Sequence, residues 1–312
     1  MLPLIDAVRP TTFIRPEKLR DRLGLDITVA TETFQHTGSF KFRAAYNLAI
    51  NVPNDAIFTA SSGNFGQALA HACKLTGKQC TVVMPSTSAQ VKIDAVRNYG
   101  ATVDLVDTTK LGRNERVAQL ASQMPDAYFA SPYDDDFVIQ GNSSLGDELA
   151  VEDFDLVIAP VGGGGLISGL VTGFQRHAKP TILYGAEPQL GNDAARSLTA
   201  GELIRNESEP LTIADGARTI SLGDRNWAII KDNVASIVEV SEEKIAEAMR
   251  LYFEWANLKC EPTGALSLGA ILESPDAFAD RKICLIVSGG NVDQNVYSSI
   301  ISQVSQSYRT TS

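Results

Sequence analysis

The sequence predicts an α/β fold with largely parallel sheets, because short apolar segments alternate with longer segments of helical periodicity along most of the chain. Pro85 closes one apolar segment, and Gly100 stands where a helix C-cap is expected. Strands are predicted at 27–30, 57–60, 80–84, 102–106, 128–130, 156–161, 182–186 and 283–287. Helices are predicted at 40–50, 65–75, 88–98, 113–123 and 143–151. Strands connected by such helices form parallel sheets that are buried on both faces.

Two domains are expected within the 312 residues, a length that exceeds the usual span of one core. Residues 53–132 hold a compact series of strand–helix units, which we expect to be a small α/β domain inserted into a larger domain of residues 1–52 and 133–312. No long linker separates them, so the boundaries are expected in short loops.

The charge balance excludes several classes of partner. The chain has 27 basic and 37 acidic residues, a net charge of −10, which argues against binding to nucleic acid or an anionic membrane. No apolar run approaches the roughly 18 residues that span a bilayer. The N-terminus does not resemble a signal peptide, and the four scattered cysteines predict neither a disulfide framework nor a zinc site. We therefore expect a cytoplasmic globular protein.

Three polar or glycine-rich turns follow predicted strands, where ligands bind in parallel α/β folds. They lie at 61–66 (S-S-G-N-F-G), 162–166 (G-G-G-G-L) and 288–291 (S-G-G-N). The backbone N–H groups of four glycines at a helix start can converge on a phosphate, aided by the helix dipole. A tight turn without a ligand is the alternative. It is less favoured because four consecutive glycines are costly to order.

The tetraglycine turn fits neither of the common nucleotide motifs. Ile167 or Ser168 occupies the last glycine position of a dinucleotide fingerprint, depending on the register. The only Gly-Lys pair, Gly77-Lys78, lacks the other residues of a P-loop. A small cofactor with a single phosphate is therefore predicted.

Lys41 lies between Phe40 and Phe42 at the start of a predicted helix. Burial and the positive end of the helix dipole both disfavour an ammonium group, so we expect a lowered pKa for Lys41. An unprotonated amine is what Schiff-base chemistry requires. A surface lysine with a buried stem is the alternative, but a phosphate cradle together with a Ser-Gly-Asn turn favours a pyridoxal 5′-phosphate site.

With these motifs, the chain is identified as a member of the serine/threonine dehydratase and serine racemase group of fold-type II pyridoxal-phosphate enzymes. The resemblance covers nearly the whole chain, and its motifs occur in the family's order. They lie at 37–43 (T-G-S-F-K-F-R), 61–68 (S-S-G-N-F-G-Q-A), 161–166 (V-G-G-G-G-L), 261–264 (E-P-T-G) and 288–293 (S-G-G-N-V-D). It implies two open three-layer α/β/α domains, the larger of which binds the cofactor, and commonly a homodimer.

The resemblance also implies a role for each matching residue. Lys41 would carry the cofactor, Phe40 would lie against its ring, and Asn64 would hydrogen-bond its phenolic oxygen. Ser288 would face the pyridine nitrogen, and Glu261 would lie near the ring. The phosphate would be bound by the N–H groups of Gly162, Gly163, Gly164, Gly165 and Leu166. Ser62 matches the hydroxyl that lies opposite the lysine in racemases.

A second site is predicted at 187–193 (E-P-Q-L-G-N-D). The carboxylates of Glu187 and Asp193 and the carbonyl of Gly191 suit a hard cation such as Mg²⁺ or Ca²⁺. Serine racemases and their relatives resemble this chain here and bind such an ion. An exposed loop without a metal is the alternative.

The predicted reaction is the dehydration of a β-hydroxy amino acid such as serine, threonine or hydroxyaspartate to a 2-oxo acid and ammonia, with the cofactor as electron sink. A racemase that uses Lys41 and Ser62 on opposite faces is the main alternative. Cysteine synthases differ at Phe42 and Phe65, which argues against β-replacement. A catalytically silent amino-acid-binding relative is the alternative outside the enzymes.

Overall fold

The computed structural model describes residues 2–61, 63–88 and 90–303, apart from a few side chains, and the statements below concern those residues. The described strands are β1 (Thr12–Ile14), β2 (Asp26–Thr31), β3 (Ala56–Ala60), β4 (Gln79–Pro85), β5 (Thr102–Val106), β6 (Tyr128–Phe129), β7 (Leu156–Pro160), β8 (Ile182–Pro188), β9 (Ser236–Val240) and β10 (Lys282–Val287). The described helices are α1 (Leu4–Ala7), α2 (Glu17–Leu23), α3 (Lys41–Asn51), α4 (Asn64–Thr76), α5 (Gln90–Asn98), α6 (Arg113–Gln123), α7 (Asp136–Ala150), α8 (Gly165–Arg176), α9 (Asp193–Ala200), α10 (Asp224–Asn233), α11 (Glu242–Ala256), α12 (Pro262–Glu273) and α13 (Gln294–Ile301).

The strands form two sheets. One has six strands in the order β1-β2-β10-β7-β8-β9, and the other has four in the order β5-β4-β3-β6. All neighbouring strands pair in parallel except β1 and β2. The predicted α/β class with mostly parallel sheets is therefore confirmed.

Helices cover both faces of the six-stranded sheet, because alternate residues of its strands point to opposite sides. On β10, Ile283 and Leu285 pack into one buried cluster with residues of α11 and α12. Cys284 and Ile286 pack into another cluster with residues of α7 and α8. This sheet is the centre of a three-layer α/β/α arrangement.

The four-stranded sheet is covered in the same way. Ile57 and Val82 pack with residues of α3, α4 and α5 on one face. Phe58 and Val83 pack with Leu120 of α6 on the other. Helix α3 precedes residue 53 yet shares the core of this sheet, so it links the two parts of the fold. The predicted domain boundaries at 52/53 and 132/133 stay a prediction.

Several elements differ from the sequence-based prediction. Helix α7 begins at Asp136 rather than 143, because the Asp135 side chain accepts hydrogen bonds from the N–H groups of Phe137 and Val138 and caps the helix there. Strands β1 and β9 were not predicted, and both lie at the edges of the six-stranded sheet. Of the described helices, none is long and apolar enough to cross a membrane.

Candidate active site

Lys41 is the first residue of α3, and its position is fixed by the segment that follows β10. The N–H of Phe40 donates to the carbonyl of Ser288 at 3.0 Å, and Ser39 forms a β-bridge with Gly289. Both Phe40 and Ser288 are buried. These contacts bring together two predicted site segments that lie near opposite ends of the sequence.

The Lys41 amine lies in apolar surroundings. Its Nζ is 5.0 Å from the ring centroid of Phe40 and 5.8 Å from that of Phe65. It donates to the carbonyl of Pro132 at 2.7 Å. Burial lowers the pKa of Lys41 to about 8, against the opposing effect of the Glu261 carboxylate. The predicted lowering of this pKa is confirmed, and an unprotonated amine is accessible near neutral pH.

The tetraglycine turn connects β7 to α8 and lies beside the segment that receives Lys41. A Cβ on Gly163 would lie 2.3 Å from the ring of Tyr133, the residue after Pro132. Gly164 has a φ of +89°, which favours glycine. Nδ2 of Asn226 donates to the carbonyls of Gly163 at 2.7 Å and Tyr133 at 3.0 Å.

The contact with Tyr133 requires glycine at 163, and the hydrogen bond from Asn226 holds the carbonyl of Gly163 in place. The first N–H groups of α8, which include those of Gly165 and Leu166, have no acceptor within the helix. The turn therefore has the geometry of an anion cradle.

Asn64, Glu261 and Asn291 form a hydrogen-bonded network next to the lysine. Nδ2 of Asn64 donates to the two carboxylate oxygens of Glu261 at 2.8 and 3.1 Å. Nδ2 of Asn291 donates to Oδ1 of Asn64 at 2.8 Å. Burial raises the pKa of Glu261 to about 7, helped by the charge of Asp215, and the Asn64 hydrogen bond opposes this shift.

The structure thus brings six of the predicted features into one region, whereas Ser62 lies outside the described residues. The six are Phe40, Lys41, Asn64, the glycine turn with Leu166, Glu261 and Ser288. Asn291, Pro132 and Tyr133 were not assigned a role from the sequence. Asn291 stands in the S-G-G-N motif that could have signalled it, whereas no motif marks Pro132 and Tyr133.

The predicted metal site holds two buried carboxylates, but they do not form a metal cluster. Among the described side chains, no group of three or more His, Cys, Asp and Glu could hold a metal ion. Glu187 accepts hydrogen bonds from the N–H groups of Ala194 and Ala195 and so stabilises the start of α9. Burial raises the pKa of Asp193 to about 7. Its Oδ2 atom is buried and has no hydrogen-bond partner.

Comparisons with known proteins identify the family of this chain. The family described as pyridoxal-phosphate dependent enzyme matches residues 4–289. The chain is 36% identical to a beta-hydroxyaspartate dehydratase of Paracoccus denitrificans, with 92% of each chain covered. It is also 36% identical to a serine racemase of Schizosaccharomyces pombe, over 87% of this chain and 85% of the relative. The crystal structure of a T.th. threonine deaminase superimposes with a TM-score of 0.87 at 37% identity, covering 93% of this chain and 95% of that one.

Proposed function

The chain belongs to the family of pyridoxal-phosphate dependent enzymes, and on that basis we propose that it dehydrates a β-hydroxy amino acid to a 2-oxo acid and ammonia. Serine, threonine and hydroxyaspartate are the proposed substrates. Similar proteins named hydroxyaspartate dehydratase and threonine deaminase support this reaction. The observation that carries the proposal is Lys41, an amine with a pKa of about 8 beside an anion cradle and two aromatic rings.

The residues present fit pyridoxal 5′-phosphate. Lys41 would carry it, and the turn at Gly162, Gly163, Gly164 and Gly165, which has no side chains, would hold its phosphate together with the N–H of Leu166. Phe40 and Glu261 would lie near its ring, Asn64 would donate to its phenolic oxygen, and Ser288 would face its ring nitrogen. When bound, the cofactor supplies an electron sink for the bonds at the substrate Cα.

Lys41 is the proposed general base. With a pKa of about 8, about a tenth of the amine is unprotonated at pH 7, and this form can take a proton from the substrate Cα. The carbonyl of Pro132, 2.7 Å from Nζ, restricts where the amine points. Ser288 would offer a neutral hydroxyl to the ring nitrogen of the cofactor, whereas a carboxylate there would favour protonation of that nitrogen.

A substrate panel tests the proposal. Purified protein with pyridoxal phosphate should be yellow, and Lys41→Ala should lose the absorption band. Incubation with L- and D-serine, threonine and hydroxyaspartate should release a 2-oxo acid and ammonia from at least one of them. A protein that stays colourless after reconstitution, or that turns over none of the panel, would contradict the proposal.

Racemisation is a second candidate function, because the chain is equally similar to a protein named serine racemase. Ser62 would return a proton to the face opposite Lys41. Ser62→Ala should then abolish the exchange of enantiomers and spare the elimination of L-substrates. Equal loss of both activities would contradict the assignment of two faces.

We also propose a divalent cation, Mg²⁺ or Ca²⁺, at Glu187, Asp193 and the carbonyl of Gly191. The buried Oδ2 of Asp193 without a partner supports this proposal, since a cation would satisfy it. Millimolar Mg²⁺ or Ca²⁺ should raise the melting temperature of the chelator-treated protein, and Asp193→Asn should remove that increase. No change in the wild-type protein would count against the metal.

A cytoplasmic homodimer is the proposed state of the protein. The four cysteines are all buried and unpaired, as in proteins of a reducing compartment. Sedimentation at micromolar concentration tests the dimer, and a monomer at that concentration would overturn it. Localisation of a tagged chain tests the compartment.

A further inference from the structure

Asn291 contacts both partners of the Asn64–Glu261 hydrogen bond. Its side-chain Nδ2 donates to Oδ1 of Asn64 at 2.8 Å and to the carbonyl of Thr37 at 2.7 Å. Its backbone N–H faces the Glu261 carboxylate and, against the larger effect of burial, lowers the pKa of that group. The last residue of the S-G-G-N motif is thus linked to both Asn64 and Glu261, the hydrogen-bonded pair of the candidate site.

The two hydrogen bonds of the Asn291 amide have a fixed direction. The carbonyl of Thr37 can only accept, so the NH₂ end of Asn291 must face it. The second hydrogen of that NH₂ group points to Asn64, and the atom of Asn64 that receives it must be its oxygen. The carbonyl of Thr37 therefore orients the Asn291 amide, and Asn291 in turn favours the same orientation of the Asn64 amide that the Glu261 carboxylate favours.

The surroundings keep Asn291 in this place. A Cβ on Gly38 would lie 2.6 Å from Oδ1 of Asn291, and Gly38 has a φ of +75°, so both packing and backbone require glycine there. The N–H of Gly290 donates to the carbonyl of Gly38 at 3.0 Å. The turns at 36–38 and 289–291 hold the Asn291 side chain between them.

We propose that Asn291 is a positioning residue that fixes the Asn64 amide with its NH₂ group toward Glu261 and the cofactor. This inference rests on the proposed function. One hydrogen of the Asn64 NH₂ group goes to Glu261, and the other is left to donate to the phenolic oxygen of pyridoxal phosphate. A reversed amide would present its oxygen to that phenolic oxygen and repel it.

The test compares three substitutions by the dissociation constant of pyridoxal phosphate, titrated into cofactor-free protein and followed by absorbance. Asn291→Asp keeps the shape but removes the donor, so Asn64 must turn its NH₂ group toward the new carboxylate. The dissociation constant should rise about 10- to 100-fold. Asn291→Ala leaves Glu261 to orient Asn64, and the rise should be only a few-fold. Asn295→Asp adds the same charge at an exposed position of α13 and should bind as the wild type does.

The order of these constants separates positioning from a structural role. If the Asn291 side chain only joined two turns, Asn291→Ala would raise the dissociation constant at least as much as Asn291→Asp. That result would overturn the inference. Equal binding by Asn291→Asp and the wild type would overturn it too. Failure of the wild type itself to bind the cofactor would overturn the proposed function and the inference with it.

An uncharged variant with the same branching covers the case in which the aspartate variant does not fold. Asn291→Leu removes the donor without adding charge. Its dissociation constant should rise a few-fold while the melting temperature of the cofactor-free protein stays within about 2 °C of the wild type. Wild-type binding by this variant would overturn the inference.

Discussion

Replacing Arg43 by methionine should strongly destabilise the protein. The guanidinium of Arg43 is fully buried, two residues after Lys41 on the first turn of α3. Its Nε and Nη2 donate to the carboxylate of Glu32 at 2.8 and 3.0 Å. Nη1 donates to Glu148 at 2.6 Å and to Ser144 at 3.1 Å. The methionine side chain fills much of the space but leaves the carboxylate of Glu32 without its cation.

The expected magnitude follows from the burial of this ion pair. The side chains of Arg43 and Glu32 are 0% and 1% exposed, so the low values of surface ion pairs do not apply. Removing one partner of a buried pair costs about 3–5 kcal/mol, because the remaining charge stays buried without compensation. At about 2 °C per kcal/mol, the melting temperature should fall by about 6–10 °C.

This loss of stability can be measured by thermal and urea unfolding of the cofactor-free protein, followed by circular dichroism. The double variant Arg43→Met/Glu32→Gln removes both charges and should recover about half or more of the lost stability. Arg43→Lys keeps a charge but cannot bind Glu32 through two parallel hydrogen bonds, and its stability should lie between those of the methionine variant and the wild type. A loss below about 1 kcal/mol for Arg43→Met, or a double variant less stable than the single one, would refute the reasoning.

Three further perturbations have defined outcomes. Burial raises the pKa of Glu261 to about 7 from its usual 4.5, so the folded, cofactor-free protein retains this proton longer than the unfolded chain. The contribution of Glu261 to stability should fall by about 3 kcal/mol as the pH rises from about 4.5 through 7. In urea unfolding at several pH values, Glu261→Gln should reduce the pH slope by this amount and leave the part that comes from the raised pKa values of Asp193 and Glu187. Gly163→Ala places a Cβ against the Tyr133 ring and should lower stability by about 1–3 kcal/mol and weaken cofactor binding in an absorbance titration. The partly exposed ion pair between Lys92 of α5 and Asp215 should contribute less than about 1 kcal/mol, and Lys92→Met should match the wild type in melting temperature at 1 M NaCl.

Matched variants serve as controls for the predictions on Glu261 and Gly163. Glu207 is exposed, so Glu207→Gln should leave the pH slope as it is in the wild type. A Cβ on Gly112 would meet no atom within 4 Å, so Gly112→Ala should spare cofactor binding. A pH slope in Glu261→Gln as steep as that of the wild type would contradict the first expectation. Wild-type stability and binding in Gly163→Ala would contradict the second.

Local sequence signals were sufficient to predict the site lysine and the glycine turn. Lys41 could be predicted because its aromatic neighbours and the helix start are adjacent in sequence, and the tetraglycine turn follows the most apolar strand directly. Periodicity likewise located the central parallel strands, whose residues are buried on both faces. The edge strands β1 and β9 escaped prediction, because exposure on one side weakens the apolar pattern.

Contacts between distant segments could not be predicted from local patterns. Asn291 meets Asn64 across 227 sequence positions and Thr37 across 254. The role of Pro132 depends on a carbonyl, which every residue type carries, so no side-chain pattern marks it. The start of α7 depended on which of three consecutive aspartates caps the helix, and only Asp135 receives the two N–H groups.

The position of β10 in the sheet has a consequence for the synthesis of the protein. β10 lies between β2 and β7, so before residues 282–287 are made, β2 can pair only with β1. At about 5–20 residues per second, ribosomes take on the order of ten seconds or more to go from β2 to β10. Lys41 is therefore synthesised long before β10, the strand whose end places Ser288 against Phe40. A truncated chain that ends before β10 would contain the lysine and the glycine turn, but it could not assemble the pocket between them.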